Sequence, residues 1–253
     1  MGSKPSKQSG GRASRSGNKK GKAQAPQISG PTGGLQMIPT PQRDGTGRPL
    51  VPQSFEINRD RLLHAFQHMA DYLQSQGTAL TIYVAGGAVN TIYLRSRHTT
   101  GDVDFFGAND QSRLLKDASK YAQQRSQAQL GANWFNNSMS LFLSRDMEQE
   151  LMHASRQQGA VLFDRPGLKV YAVPWEYALC GKTDRLTKPT KRPYDTTDAV
   201  AYLRECVNSN GNAIEAHQIE SWARRYNKAV SIDVLREIDA MYKGKYGSHG
   251  ILF

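Results

Sequence analysis

A chain of 253 residues that is 38% hydrophobic can build one compact domain of moderate size with a smaller helical appendage. No stretch approaches the ~20 apolar residues of a transmembrane helix, and the first residues lack the apolar run of a secretory signal, so neither a membrane-spanning nor a secreted protein is expected. The formal net charge of +11 is concentrated at one end: residues 1–50 hold nine Lys and Arg (Lys4, Lys7, Arg12, Arg15, Lys19, Lys20, Lys22, Arg43, Arg48) against Asp44, which leaves about +3 for the remainder.

Residues 1–52 are rich in Gly, Ser, Pro and Gln, and their small apolar content cannot offset the entropy of ordering, so a disordered basic leader is expected there. Met1-Gly2-Ser3-Lys4-Pro5-Ser6-Lys7 satisfies the N-myristoylation pattern, with Gly2 the lipidation candidate and Ser6 the small hydroxyl residue. One acyl chain binds a bilayer marginally, and the basic run from Lys4 to Lys22 adds on the order of 1 kcal/mol per side chain engaged at an anionic leaflet. A lipidated Gly2 implies a eukaryotic host and the cytoplasmic face of a membrane. Without the lipid the leader is a solvated tail on a cytoplasmic protein.

Beyond the leader, Asn58 is placed to cap a helix from Arg59 to about Gln76, with Leu62, Leu63, Phe66, Met69, Ala70 and Leu73 at helical spacing and Gly77 as a stop. His64 and His68 fall at i, i+4 on it, but the Glu of a zinc-hydrolase motif is missing, so they read as a half-exposed pair. Strands are expected over about 79–84 and 102–106, with a short helix over Ala88–Leu94 between them. A Gln-rich helix from Asp110 to about Gln127 reads as solvent-facing, and another helix covers about Met147–Gln158. AVLFDRPGLKVYAVP reads as two strands joined at Arg165-Pro166-Gly167. From Asp195 onward the sequence turns helical, giving a small bundle that closes one side of a cleft. The expected class is α/β (α+β): a mixed sheet flanked by helices over 53–194 and a helical C-terminal region over 195–253. Cys180 and Cys206 make neither a disulfide framework nor a Cys-x-x-Cys zinc site, and they fit buried thiols in a reducing compartment.

The chemistry-bearing stretch is VAGGAVNTIYLRSRHTTGDVDFF, Val84 to Phe106. Gly86 and Gly87 let the backbone turn sharply after a strand and present N–H groups at the start of a helix, a cradle for phosphate. Asp102 and Asp104 stand two apart, so on an extended strand they share a face with Val103 directed inward. Two carboxylates on one face can hold Mg²⁺ or Mn²⁺, which takes its remaining ligands from water and the phosphates of a bound nucleotide. Either feature alone reads as a turn or a solvated strand edge. The strand, turn, helix, strand order is what joins them into one site.

This arrangement resembles the nucleotidyltransferase superfamily related to DNA polymerase β, and more closely the AbiEii toxins and similar nucleotidyltransferase-like proteins, from about residue 80 to residue 205. Arg97, Thr100, Asp102 and Asp104 fill the family's Arg-x-Thr and Asp-h-Asp places, with His98 and Thr99 where the family has one residue. Trp134-Phe135-Asn136 is similar to a Trp-Leu-Asn of those relatives, and RPYDTTDAVAYL resembles their Arg-Asp-x-x-Asp-Leu, matching Asp195 and Asp198 to its acids. The resemblance implies nucleotidyl transfer from a nucleoside triphosphate to an acceptor that is a protein, an RNA or a small molecule. It further implies that Arg97 and Thr100 contact the nucleotide, that Lys182 stabilises leaving-group charge, and that Asp198, or else Asp195, is the base.

Many active members of the superfamily add a third carboxylate on a following strand. LKVYAV, Leu168 to Val173, has none, and Asp164 across the turn is the nearest candidate. Two further classes therefore stand beside the enzyme. One is a catalytically silent nucleotidyltransferase-like binding module, tethered to a membrane if Gly2 is lipidated. The other is a nucleic-acid-binding protein using the basic arm and the cluster Lys182, Arg185, Lys188, Lys191, Arg192, although that cluster has few aromatic residues for base stacking.

Overall fold

The structure, a computed structural model, describes residues 1–2, 43, 45–48, 55–127 and 129–253. Of the expected leader, 1–52, only residues 1–2, 43 and 45–48 are described, with Gly2 exposed; the basic run from Lys4 to Lys22 lies outside the described residues. Strand β1 (Ile57–Asn58) leads into α1 (Arg59–Ser75), where Asn58 Oδ1 accepts the Arg61 N–H and caps the first turn. The apolar stripe of α1 buries Leu62, Phe66, Met69 and Leu73 completely, each worth about 1.5–3 kcal/mol on leaving water. Then come β2 (Leu80–Ala85), α2 (Gly87–Ile92), β3 (Thr99–Thr100) and β4 (Val103–Phe106). They are followed by α3 (Ser112–Arg125), β5 (Phe135–Asn136), α4 (Arg145–Gln158), β6 (Val161–Arg165) and β7 (Leu168–Ala172). The chain ends with α5 (Trp175–Leu186), α6 (Asp195–Asn210), β8 (Ile214–Glu215), α7 (Ala216–Arg225), α8 (Ile232–Tyr246) and β9 (Ile251–Leu252).

The fold is mixed α/β. Its central sheet has five strands in the order β5-β4-β2-β7-β6, with β2 antiparallel to β4 and parallel to β7. Alternation along the strands assigns the faces. Phe163 of β6, in register with Val170 and through it with Ile82, meets Phe66 of α1. On the other face Tyr83 stacks on Phe106 and Tyr171, and its hydroxyl takes a hydrogen bond from Arg156 of α4. The sheet is therefore flanked by helices on both sides. The helices after Asp195 join the same core, because Val200, Tyr202 and Leu203 of α6 lie in one buried cluster with β2 and α5.

Several elements differ from expectation. The helix α2 starts earlier and stops sooner, because both Tyr93 and Leu94 bond to Val89 O and the chain reverses through Arg95 at φ 55°. α3 is less solvent-facing than its glutamines suggest: Leu115, Ala118 and Ala122 are buried and the helix packs on α1. The sequence pattern gives no sign of the two-residue strands β3 and β5. Cys180 and Cys206 are free and buried. Among the described residues no helix is long and apolar enough to cross a membrane.

Candidate functional site

The site forms where β2 ends. Gly86 leaves the strand at φ 70°, ψ −139°, a backbone shape that side chains oppose, and Gly87 opens α2. A Cβ on Gly87 would overlap Thr100 Oγ1 and come 2.9 Å from Arg97 Nη1, so this bend is bare because the Arg97–Thr100 segment lies directly against it. Thr100 Oγ1 donates to Asp102 O at 3.1 Å, tying that segment to the start of β4. Register then sets Asp104 beside Ala85, and a Cβ on Gly86 would stand 3.8 Å from Asp104 Oδ2. Gly86, Gly87, Arg97, Thr100, Asp102 and Asp104 thus converge on one end of the sheet.

The two carboxylates are partly buried and feel each other. Burial pushes Asp104 up to about 6, the Asp102 charge adds to the rise, and a hydrogen bond from Asn136 with the Arg185 and Arg192 charges opposes it. Asp102 is raised by burial too, against the pull of Arg192, Arg97 and Arg185. The charges of Arg185 and Arg192 thus reach both acids, and that of Arg97 reaches Asp102. At six residues α2 is too short for its dipole to rival these charges, so anion attraction at the bend rests on arginine.

Below this surface lies a buried ion cluster. Lys182 Nζ is 2.6 Å from Asp198 Oδ2 and 2.9 Å from Asp195 Oδ1, and both acids have no exposed surface. Asp195 Oδ2 also accepts the Arg192 N–H at 2.8 Å. Arg97 approaches Asp198 to 3.6 Å and stacks on the Tyr194 ring at 3.7 Å, while Arg192 donates to the Tyr194 hydroxyl. The cluster positions Arg97 above Gly87.

Three expectations are corrected by this geometry. A base acting on an acceptor hydroxyl needs to touch it, but Asp198 is sealed and paired with Lys182, and Asp195 is sealed likewise; neither reaches an acceptor. Lys182, 9% exposed and held between the two acids, supports the site from beneath rather than facing a leaving group. Asp164 is no third carboxylate. It pairs with Lys169, which is in register with Thr81, so it lies about 13 Å along the strand direction from Ala85. Moreover β7 is separated from β4 by β2.

A brace escaped the sequence reading. The Tyr202 hydroxyl of α6 is 2.5 Å from Asn90 Oδ1 and 3.1 Å from Gly86 O. Asn90 Nδ2 donates to Ser96 Oγ, and its carbonyl accepts the N–H groups of Ser96 and Arg97. Asn90 therefore couples the bend to the Arg97 segment. The available signal was an Asn inside a helical run, where that side chain usually competes with the backbone unless it bonds elsewhere.

Among the described residues no three His, Cys, Asp or Glu side chains gather as a metal cluster. Asp102 and Asp104 nonetheless suit a hard cation: two crowded carboxylates of raised pKa, partly open, beside the Gly86 turn, where an added Cβ would stand 3.8 Å from Asp104 Oδ2. Compared with known proteins, the chain matches the model of one family, described as a domain of unknown function (DUF7582), over residues 56–249. No curated protein and no solved structure matches it.

Proposed function

The chain belongs to the DUF7582 family, whose description names no activity, and from its site we propose a Mg²⁺-dependent nucleotidyltransferase that moves a nucleoside monophosphate from a nucleoside triphosphate to an acceptor hydroxyl. One observation carries the reading: the acid pair lies at the glycine bend, with Asp104 Oδ2 3.8 Å from where a Gly86 side chain would begin. Asp102 and Asp104 would hold the cation, which when bound supplies charge neutralisation at the phosphates. Gly86, where an added Cβ would meet nothing closer than Asp104 Oδ2 at 3.8 Å, would let the triphosphate approach the backbone. Arg97, Arg185 and Arg192 meet its negative charge, an electrostatic role that matters more in phosphoryl chemistry than covalent help from the protein. The acceptor oxygen bonds to the α-phosphorus, pyrophosphate departs and the acceptor proton passes to solvent.

A second reading is a silent module that binds a nucleotide without transferring it. It is favoured by the sealed position of Asp198, which leaves the acceptor without the base that the family resemblance implies. Calorimetry with each nucleoside triphosphate, with and without Mg²⁺, followed by transfer assays with α-³²P nucleotides and pools of RNA and protein, separates the readings. Mg²⁺-dependent binding with label transfer, lost in Asp104→Asn, supports the enzyme. Binding without transfer supports the module. Absence of any Mg²⁺-dependent nucleotide binding removes both, and steeply salt-dependent RNA binding in its place would favour a nucleic-acid-binding protein.

A further inference from the structure

Resting on the nucleotide reading, we propose that Tyr194 is a positioning residue that holds Arg97 and Arg192 ready for the phosphates of the nucleotide. It is the N-cap residue of α6, where its carbonyl accepts the Asp198 N–H at 2.9 Å. Two arginines from different segments meet its side chain. The Arg97 guanidinium lies over the ring, 3.7 Å from its centroid, and Arg192 Nη1 donates to the hydroxyl at 3.0 Å. Arg97 Nη1 in turn sits 2.9 Å from where a Gly87 Cβ would begin. The ring thus backs a guanidinium that lies against the glycine bend.

The two contacts that aim Arg97 use up none of its donors. Asp198 Oδ2 is 3.6 Å from Nη1, a charge pair beyond hydrogen-bond length, and the Tyr194 face attracts the cation through its quadrupole. A guanidinium held by stacking and charge keeps its planar fork for phosphate oxygens, and its rotamer freedom is lost before a ligand arrives. Lysine could not take its place, because an ammonium group has no plane to lay on the ring. The charges of both arginines reach Asp102, so the pair and the proposed cation serve one site. Tyr194 itself acts only through the two arginines.

The test is a pair of double-mutant cycles read in binding. Calorimetry with ATP, GTP, CTP and UTP in the presence of Mg²⁺ gives the affinity of the full chain and of each variant, with circular dichroism and urea unfolding recorded beside it. Tyr194→Leu removes ring and hydroxyl and should weaken the best-bound nucleotide about tenfold or more, the scale of a desolvated cation–π contact. Tyr194→Phe keeps the ring and should recover most of that loss, weakening binding by about twofold to fivefold through the released Arg192. In an Arg97→Met background Tyr194→Leu should add no more than the small loss seen in Tyr194→Phe, and in an Arg192→Met background Tyr194→Phe should add nothing. A tyrosine of merely structural use would lower stability without this non-additivity in affinity. Additive losses in either cycle, or wild-type affinity in either folded Tyr194 variant, overturn the inference and leave the nucleotide reading intact. Should Tyr194→Leu fail to fold, the Tyr194→Phe cycle with Arg192→Met decides by the same outcomes. Wild-type protein that binds none of the four nucleotides overturns both.

Discussion

Tyr202 and Asn90, 112 residues apart in the chain, meet at 2.5 Å across the interface of α6 and α2. The hydroxyl has a single proton and two acceptors in range, Asn90 Oδ1, which is buried, and Gly86 O, which is partly buried. This contact joins the helix that carries Asp198 to the bend that faces Asp104. Tyr202→Phe keeps the ring in place and strips the donor from a buried amide oxygen. The expected loss is about 1–3 kcal/mol, the usual desolvation penalty of an orphaned acceptor. Urea unfolding measures it; a loss within error would show that Gly86 and Asn90 do not depend on the hydroxyl.

Lys182 neutralises two acids with no exposed surface. Lys182→Met fills the volume and leaves both charges buried, with Asp198 facing only the more distant Arg97. Breaking a buried pair from one side costs about 3–5 kcal/mol. Adding Asp198→Asn removes one of the stranded charges, so the double variant should be more stable than Lys182→Met alone. Additive losses in a double-mutant cycle would contradict the coupling. Lost activity in Lys182→Met is accordingly no sign that the ammonium group touches a substrate.

Asp104 ties stability to pH. Its folded value of about 6 lies above the ordinary 3.8, so between these values the folded state binds more protons than the unfolded chain. Stability from this group is full below 3.8, falls as pH rises to about 6 and then stays level, an amplitude of roughly 2–3 kcal/mol. Asp104→Asn removes the carboxylate and should flatten this slope, giving a higher melting temperature than wild type at pH 8. Mg²⁺ with a nucleotide should raise the wild-type melting point by mass action and leave the variant unmoved. Parallel pH profiles of the two proteins would show that the carboxylate titrates normally.

The contrast between what the sequence disclosed and what it hid follows from contact range. The bend and the acid pair lie within 23 contiguous residues, where strand alternation and glycine geometry are local matters; Asn58, Gly77 and the Pro166-Gly167 turn are legible for the same reason. β3 and β5 span two residues each, too short for any period to register, so no local pattern pairs Asn136 with Asp104, even though Trp134-Phe135-Asn136 resembles a family segment. Lys182 and Asp198 take their catalytic reading from the family resemblance, and nothing in the local pattern says that these charged residues are buried, as few are. Their sealing depends on the packing of α5 against α6, which no local pattern encodes. Tyr202 reads as one more apolar position on a helix.

Gly87 offers a test of the bend that depends on neither titration nor catalysis. Its own φ is ordinary, so Gly87→Ala strains no backbone, and the whole effect lies in the methyl group. That methyl would overlap Thr100 Oγ1 and crowd Arg97 Nη1, and overpacking of this kind typically costs about 1–3 kcal/mol. Thr100 must move away, and with it the hydrogen bond that places Asp102. Gly87→Ala should therefore fold with lowered stability and lose nucleotide affinity by about tenfold or more, equivalent to at least ~1.4 kcal/mol. Gly159→Ala, at a helix end where an added Cβ meets nothing within 4 Å and only the positive φ opposes it, should lose a comparable amount of stability and keep its affinity. Equal affinities in the two variants would mean that the bend does not face the ligand.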